Sequence, residues 1–220
     1  GTIINLAAYF LTLSGLLIFH GVVSYGLLLK ATTGLNPGIL RTKMRRVWAF
    51  AFSTASSGAT LPITLRTVEK RLGVPKSVAG FAIPLGATVN MDGTAIMQGV
   101  ATVFIAQVYG IELSAMQLLM VILTATLASI GTAAVPGVGL ITLSLVLTQA
   151  GLPVEGVALI IGVDRLLDMI RTAVNVTGDA TVATIVAHRE GQLDETIYND
   201  PHADSDMGSE AAAAESSEVS

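Results

Sequence analysis

The chain has 220 residues, 52% hydrophobic and 13% charged, and contains no cysteine. Soluble domains carry about a quarter charged residues, so an ordinary cytosolic enzyme is excluded and a membrane protein is indicated. Without cysteine there is no disulfide framework, thiolate metal site or cysteine nucleophile. The net charge of −4 is unevenly placed: residues 191–220 hold eight acids and no base, which leaves 1–190 at +4.

Residues 3–29 form an uncharged apolar run stopped by Lys30, long enough to span the ~30 Å hydrocarbon core. The run follows Gly1 with no basic n-region or cleavage site before it. No signal peptide is therefore expected, and the segment is expected to be part of a longer chain. Between Arg46 and Arg66 lie 19 uncharged residues, interrupted by Ser56-Ser57-Gly58-Ala59-Thr60-Leu61-Pro62. Residues 77–111 carry a single charge, Asp92. The longest uncharged run covers 113–154; as one helix it would measure about 63 Å, twice the membrane thickness. Its break at Gly131–Gly139 divides it. A last long segment, 156–188, contains Asp164, Arg165, Asp168, Arg171 and Asp179.

Charge orients these pieces. Lys and Arg cluster on both flanks of 47–65, at 30–46 and 66–76, and cytoplasmic loops concentrate such residues. The segment is then expected to enter and leave on one side, as a re-entrant hairpin turning at Ser56–Pro62. The loops near Glu112 and Glu155 hold no base, which makes 114–149 a second hairpin entering from the other side. The expected order is span 3–29, hairpin 37–71, span 77–108, hairpin 114–149 and span 156–188. The expectation is an all-α multi-pass cell-membrane protein with broken helices in an inverted repeat, the pattern of secondary transporters. Residues 191–220, rich in Ala, Ser, Glu and Asp, are expected to form a disordered acidic tail.

At about 100° per residue, Asp164, Asp168, Arg171, Asn175 and Asp179 line one stripe of the last span. A charge at the bilayer centre costs at least ~2.5–3.5 kcal/mol. An ion-pair ladder would explain Asp168 with Arg171, but not the continuation of the stripe through Asn175 and Asp179. A polar pathway or binding site explains all five. In 77–108, Asn90-Met91-Asp92-Gly93-Thr94 is a poor helix, and unwinding there would free carbonyls which, with carboxylate and amide oxygens, suit a hard cation such as Na+. The two Gly-, Ser-, Thr- and Pro-rich tips would present helix N-termini able to hold a carboxylate.

These motifs, together with Ser129-Ile130-Gly131-Thr132 through Pro136-Gly137 and the run Asp168-Met169-Ile170-Arg171-Thr172-Ala173-Val174-Asn175-Val176-Thr177-Gly178-Asp179, resemble the dicarboxylate/amino acid:cation symporters, the glutamate transporter family. The resemblance covers about residues 1–190 with four motifs in the right order. It implies a transport-domain portion, Na+-coupled symport of L-aspartate or L-glutamate by alternating access, and a homotrimer in the lipid bilayer. By resemblance, Arg171 holds the substrate's side-chain carboxylate and Asp168 its amino group. Asn175, Thr94, Ser57 and the tip from Val135 to Gly139 hold the α-carboxylate, with Thr172 also at the site. One Na+ would use Gly86, Asn90, Asn175 and Asp179; a second would use Thr88, Ser129, Ile130 and Thr132; a third would use Asn90 and Asp92. The family's trimer-scaffold spans have no counterpart in this sequence. The second arginine common in the family is absent too, since Ala55 and Met169 stand at its positions.

The resemblance leaves a C4-dicarboxylate or H+-coupled relative as the alternative. Asp168 favours a substrate bearing an ammonium, and Asp179 favours Na+. No enzymatic activity and no nucleic-acid partner are expected. An intramembrane aspartyl protease would use two acids such as Asp92 and Asp179, but Val176 replaces the first glycine of its Gly-x-Gly-Asp pattern. A serine hydrolase lacks a histidine near either tip, because His20 and His188 lie outside them.

Overall fold

The uncharged runs lie within helices, and the breaks between helices fall at or beside the small-residue clusters. The computed structural model describes residues 2–203, and the described residues include no strand. Helix α1 (Thr2–Phe19) continues through a π-helical turn (His20–Ser24) into α2 (Tyr25–Thr33). The continuous helix Ile3–Thr33, whose most apolar 18-residue stretch has mean hydropathy 1.9, is long and apolar enough to cross a membrane.

Helix α3 (Pro37–Thr54) starts with the Asn36 side chain accepting from Gly38 N–H and proline in its first turn, a favourable N-terminus. It stops at Ala55, which has φ 50°. Helix α4 (Ser57–Lys70) follows at once, capped by the Ser56 hydroxyl accepting from Ala59 N–H. The expected turn at Ser56–Pro62 is thereby corrected to Ala55–Ser56. Pro62 lies inside α4, on an exposed face. There it removes one hydrogen bond near the helix start without ending the helix.

Helices α5 (Lys76–Val89) and α6 (Asp92–Val108) are separated by non-helical Asn90 and Met91. The unwinding is narrower than the five residues expected, because Asp92-Gly93-Thr94 already belongs to α6. Helix α7 (Ala115–Ile130) opens with a capping box between Ser114 and Gln117, and α8 (Val138–Ala150) begins after Gly137 at φ 79°. A 3-10 turn (Val154–Leu159) leads into α9 (Ile161–Arg189), which is unbroken over 29 residues. A short α10 (Glu195–Asn199) follows.

Helix α9 is the spine, packed against α1, α2, α3, α4, α5 and α6. Its first half, with Leu167 and Val174, joins α1, α6, α7 and α8 in one apolar cluster. Its second half, with Val176, Ala180, Ala183 and Ala187, joins α3, α4 and α5 in another. Outer faces carry bare apolar side chains, with Phe81 and Ile141 each 70% exposed.

The expected disordered tail is corrected over residues 191–203. Tyr198 is fully buried in the second cluster with Leu193 beside it. Burying a side chain of that size contributes about 1.5–3 kcal/mol, which a polar average composition conceals. The rest of that expected tail lies outside the described residues.

Candidate functional site

The polar stripe of α9 faces inward. Asp164, Asp168, Arg171, Asn175 and Asp179 are each at most 6% exposed, while Leu166, off the stripe, is 52% exposed. Where the stripe meets the helix breaks it lines a cavity of about 20 Å³. The break at 55–57 contributes Ala55 and Ser57, and the break in α5–α6 contributes Met91 and Thr94. The 131–139 segment contributes Thr132, Ala133, Ala134, Val135 and Gly139. Helix α9 supplies Asp168, Arg171, Thr172 and Asn175. All eight residues expected at a substrate site therefore line one space. It has room for about one water, so a larger guest enters only if a wall moves.

Charge dominates this cavity. Arg171 is 3% exposed and donates to Asp168 Oδ1 at 2.6 Å, with Asp164 Oδ1 at 3.5 Å. Two carboxylates thus face one guanidinium away from water. Asp168 Oδ2 accepts from Gly137 N–H at 2.9 Å, so the 131–137 segment is tied through its backbone to the same acid. The two tips also touch: Ala134 carbonyl accepts from Ser56 Oγ at 2.8 Å and from Gly58 N–H at 3.0 Å. Gly139 matters through its missing side chain, because a Cβ there would lie 3.1 Å from an Arg171 nitrogen and 2.9 Å from Met97 Cε.

A second polar group surrounds Asp179. Its Oδ1 accepts from Asn90 Nδ2 at 3.0 Å. Gly86 lies against it, since a Cβ on that glycine would sit 2.5 Å from the same oxygen. The carboxylate is therefore buried beside the last turn of α5, where unpaired carbonyls already concentrate negative partial charge. Carbonyl and carboxylate oxygens are the ligands that a hard cation takes. Asn175 Oδ1 accepts from Gly93 N–H at 2.8 Å, linking α9 to the start of α6.

The remaining expected cation residues are less gathered. Ser129 and Thr132 are buried, and their hydroxyls donate to Thr126 and Ala128 carbonyls at 2.8 Å each. Ile130 is 42% exposed, and Thr88 is exposed and bonded to Leu85. Helix α5 touches α7, but among the described residues no hydrogen bond joins Thr88 to Ser129, Ile130 or Thr132. Asp92 faces α1–α2, where its Oδ2 accepts from Tyr25 Oη at 2.9 Å and lies 3.2 Å from His20 Nε2.

Tyr25, His20 and Met91 are the participants that sequence reasoning misses. On a regular helix His20 and Tyr25 would diverge by about 140°; the π turn brings them to one acid. Met91 Sδ lies 3.4 Å from Asn175 Nδ2, and its place between Asn90 and Asp92 is the available signal. Arg165 is exposed and does not line the cavity.

Comparison with known proteins gives consistent results. The sodium:dicarboxylate symporter family model matches residues 1–189. An excitatory amino acid transporter of Caenorhabditis elegans is 51% identical over 183 residues, which are 83% of this chain and 36% of that protein. One from Onchocerca volvulus is 50% identical over 83% of this chain and 37% of its own length. Excitatory amino acid transporter 2 of Mus musculus is 47% identical over 84% of this chain and 32% of its own length. The chain thus spans about a third of the length of the curated relatives it matches.

Proposed function

The chain belongs to the sodium:dicarboxylate symporter family, and from that premise we propose that it is the substrate- and ion-binding part of a Na+-coupled symporter of acidic amino acids. The family makes it part of a membrane transporter rather than an enzyme. The finer reading is a multi-pass cell-membrane protein in which α3–α4 and α7–α8 are re-entrant hairpins of an inverted repeat. Alternating access moves the site between the two sides, and the intact protein is a homotrimer.

The observation that carries this reading is the buried Arg171–Asp168 pair, closed by the backbone of the 131–137 segment. An amino acid with an acidic side chain can replace both partners at once. Its side-chain carboxylate takes the planar guanidinium in two parallel hydrogen bonds, and its ammonium takes Asp168. A dicarboxylate would leave Asp168 facing no cation, a costly burial. The α-carboxylate would meet Asn175, Thr94, Ser57 and the N-terminal end of α8 between Val135 and Gly139, with Thr172 beside it. Because Gly137 N–H and Asp168 are bonded when the cavity is closed, substrate entry requires the 131–137 segment to lift.

Na+ enters as co-substrate. Asp179 with oxygens of Gly86, Asn90 and Asn175 would hold one ion. The α7 end at Ser129, Ile130 and Thr132, with Thr88, would hold a second once the 131–137 segment settles. Asn90 and Asp92 would contribute to a third. The second ion shares its segment with the substrate lid, so each ligand stabilises the closure the other needs. Uptake of radiolabelled L-aspartate and L-glutamate by the intact protein in liposomes tests the reading. Uptake is expected with an inward Na+ gradient, and its loss in choline and in Arg171→Cys. Unchanged aspartate uptake by that variant would remove the assigned role.

A further inference from the structure

We propose that residues 193–203 are a strap that latches the base of the α3–α4 pair to the end of α9 through Lys43, and that its docking keeps the Ala55–Ser56 tip fixed while the 131–137 segment moves. The second clause rests on the transport reading; the latch stands on geometry alone.

Lys43 lies on α3, is 2% exposed, and is not used by the substrate or ion sites. An ammonium has three donors and no acceptor, and all three donors are satisfied by backbone carbonyls. Arg71 O lies 2.6 Å away at the end of α4, and Ile197 O and Tyr198 O lie 2.7 Å away in α10. One charged group therefore ties α3, α4 and the strap at a single point. The Tyr198 ring centroid lies 5.9 Å from the ammonium, and its Oη donates to the carbonyl of Asn36, the capping residue of α3, at 2.9 Å.

The strap is held at both of its ends. Asp194 N–H donates to Gly73 carbonyl at 2.9 Å. Gly73 has φ +74°, and the Asp194 carbonyl occupies the position a Cβ would take, so a side chain there would lift the strap. Farther on, Arg71 Nε donates to Ala203 carbonyl at 3.3 Å. Toward α9, Leu193 N–H bonds Ala187 carbonyl, and His188 Nε2 lies 3.4 Å from Glu195 Oε1.

Removing the strap would leave Lys43 with one of its three acceptors. A buried ammonium lacking partners is costly, so the base opens to admit water or the group gives up its proton, and either way the contact that ties α3 to α4 is weakened. That couples the C-terminal segment to the rigidity of the first helix pair and gives the first tip a release mechanism.

Hydrogen exchange on the intact protein tests the latch without any transported solute. Three variants suffice: truncation after Gln192, Lys43→Met, and the two combined. Truncation is expected to raise amide exchange across 37–70 by about tenfold or more, with 115–150 near its original rate. The combined variant should exchange no faster than the truncation alone, because the ammonium then has no strap to hold. Unchanged exchange in 37–70, an equal rise in both helix pairs, or additive effects would each overturn the proposal. If the truncated protein does not fold, Tyr198→Phe gives the same reading on a smaller scale: a rise confined to 37–70 supports the latch, and none overturns it. Failed uptake with this exchange pattern intact would count against the transport reading and leave the latch standing. Normal uptake with unchanged exchange would do the reverse.

Discussion

The two helix pairs, α3–α4 and α7–α8, meet at the same cavity but are built to different tolerances. The first turns in two residues through a left-handed alanine, with a serine capping the next helix. Its base is bound by Lys43, Tyr198 and Gly73. The second turns across 131–137, with glycine at each end. The wall of the cavity it forms is held by backbone bonds from Gly137 to Asp168 and from Ser56 and Gly58 to Ala134. Each bond to Ala134 contributes about 0.5–1.5 kcal/mol net and the one to the Asp168 carboxylate about 1.5–3 kcal/mol, amounts a bound ligand can replace. On the transport reading proposed above, the first pair would serve as a floor and the second as a lid, and the difference lies in their attachments more than in their helices.

Asp168→Asn should disturb this arrangement most, because the residue holds both Arg171 and the lid. Truncating one side of a buried charge pair costs about 2–5 kcal/mol. Binding of L-aspartate, measured by thermal shift against ligand concentration, should weaken by about thirty-fold or more. Smaller and opposite effects should follow at the two turns. Gly137→Ala meets no atom within 4 Å of its new Cβ, so it reads backbone strain alone and should cost about 1–2 kcal/mol. Ala55→Gly, at φ 50°, should instead stabilise by about 0.5–1 kcal/mol. Melting temperatures check both, and shifts of equal sign would erase the contrast between the turns. The smallest effect belongs to Asp194, the exposed cap of α10. The Thr196 hydroxyl and the N–H groups of Ile197 and Thr196 hold its carboxyl below the ordinary value of 3.8. With its folded pKa depressed, the cap's contribution is present above pH 3.8 and is lost as pH falls through the folded value. Asp194→Asn should flatten that acid-side loss of strap docking, read by hydrogen exchange at Tyr198.

Much of this was legible because membrane-length apolar runs leave few places for charge. The α9 stripe follows from spacing alone, and the residues expected around a substrate line one cavity. Breaks rich in glycine announce themselves, but their widths do not. Pro62 suggested a longer turn, yet a proline near a helix start costs one bond and is absorbed. The partners of Asp92 depended on a π turn that shifts His20 and Tyr25 onto one face, which a periodicity of 3.6 cannot show. The strap was hidden by averaging. Leu193 and Tyr198 are two apolar anchors in an acidic stretch, and the acceptors of Lys43 are backbone carbonyls, which carry no sequence signature.

Sodium dependence of acidic amino-acid binding tests the central claim most directly. L-aspartate titrated calorimetrically into the intact protein should bind about 5–150-fold more tightly in Na+ than in choline, the range expected when two ligands share one closing segment. By the same linkage, aspartate should raise the affinity for Na+ by an equal factor. Equal aspartate affinities in the two buffers would contradict both the sodium sites and the role of the 131–137 lid.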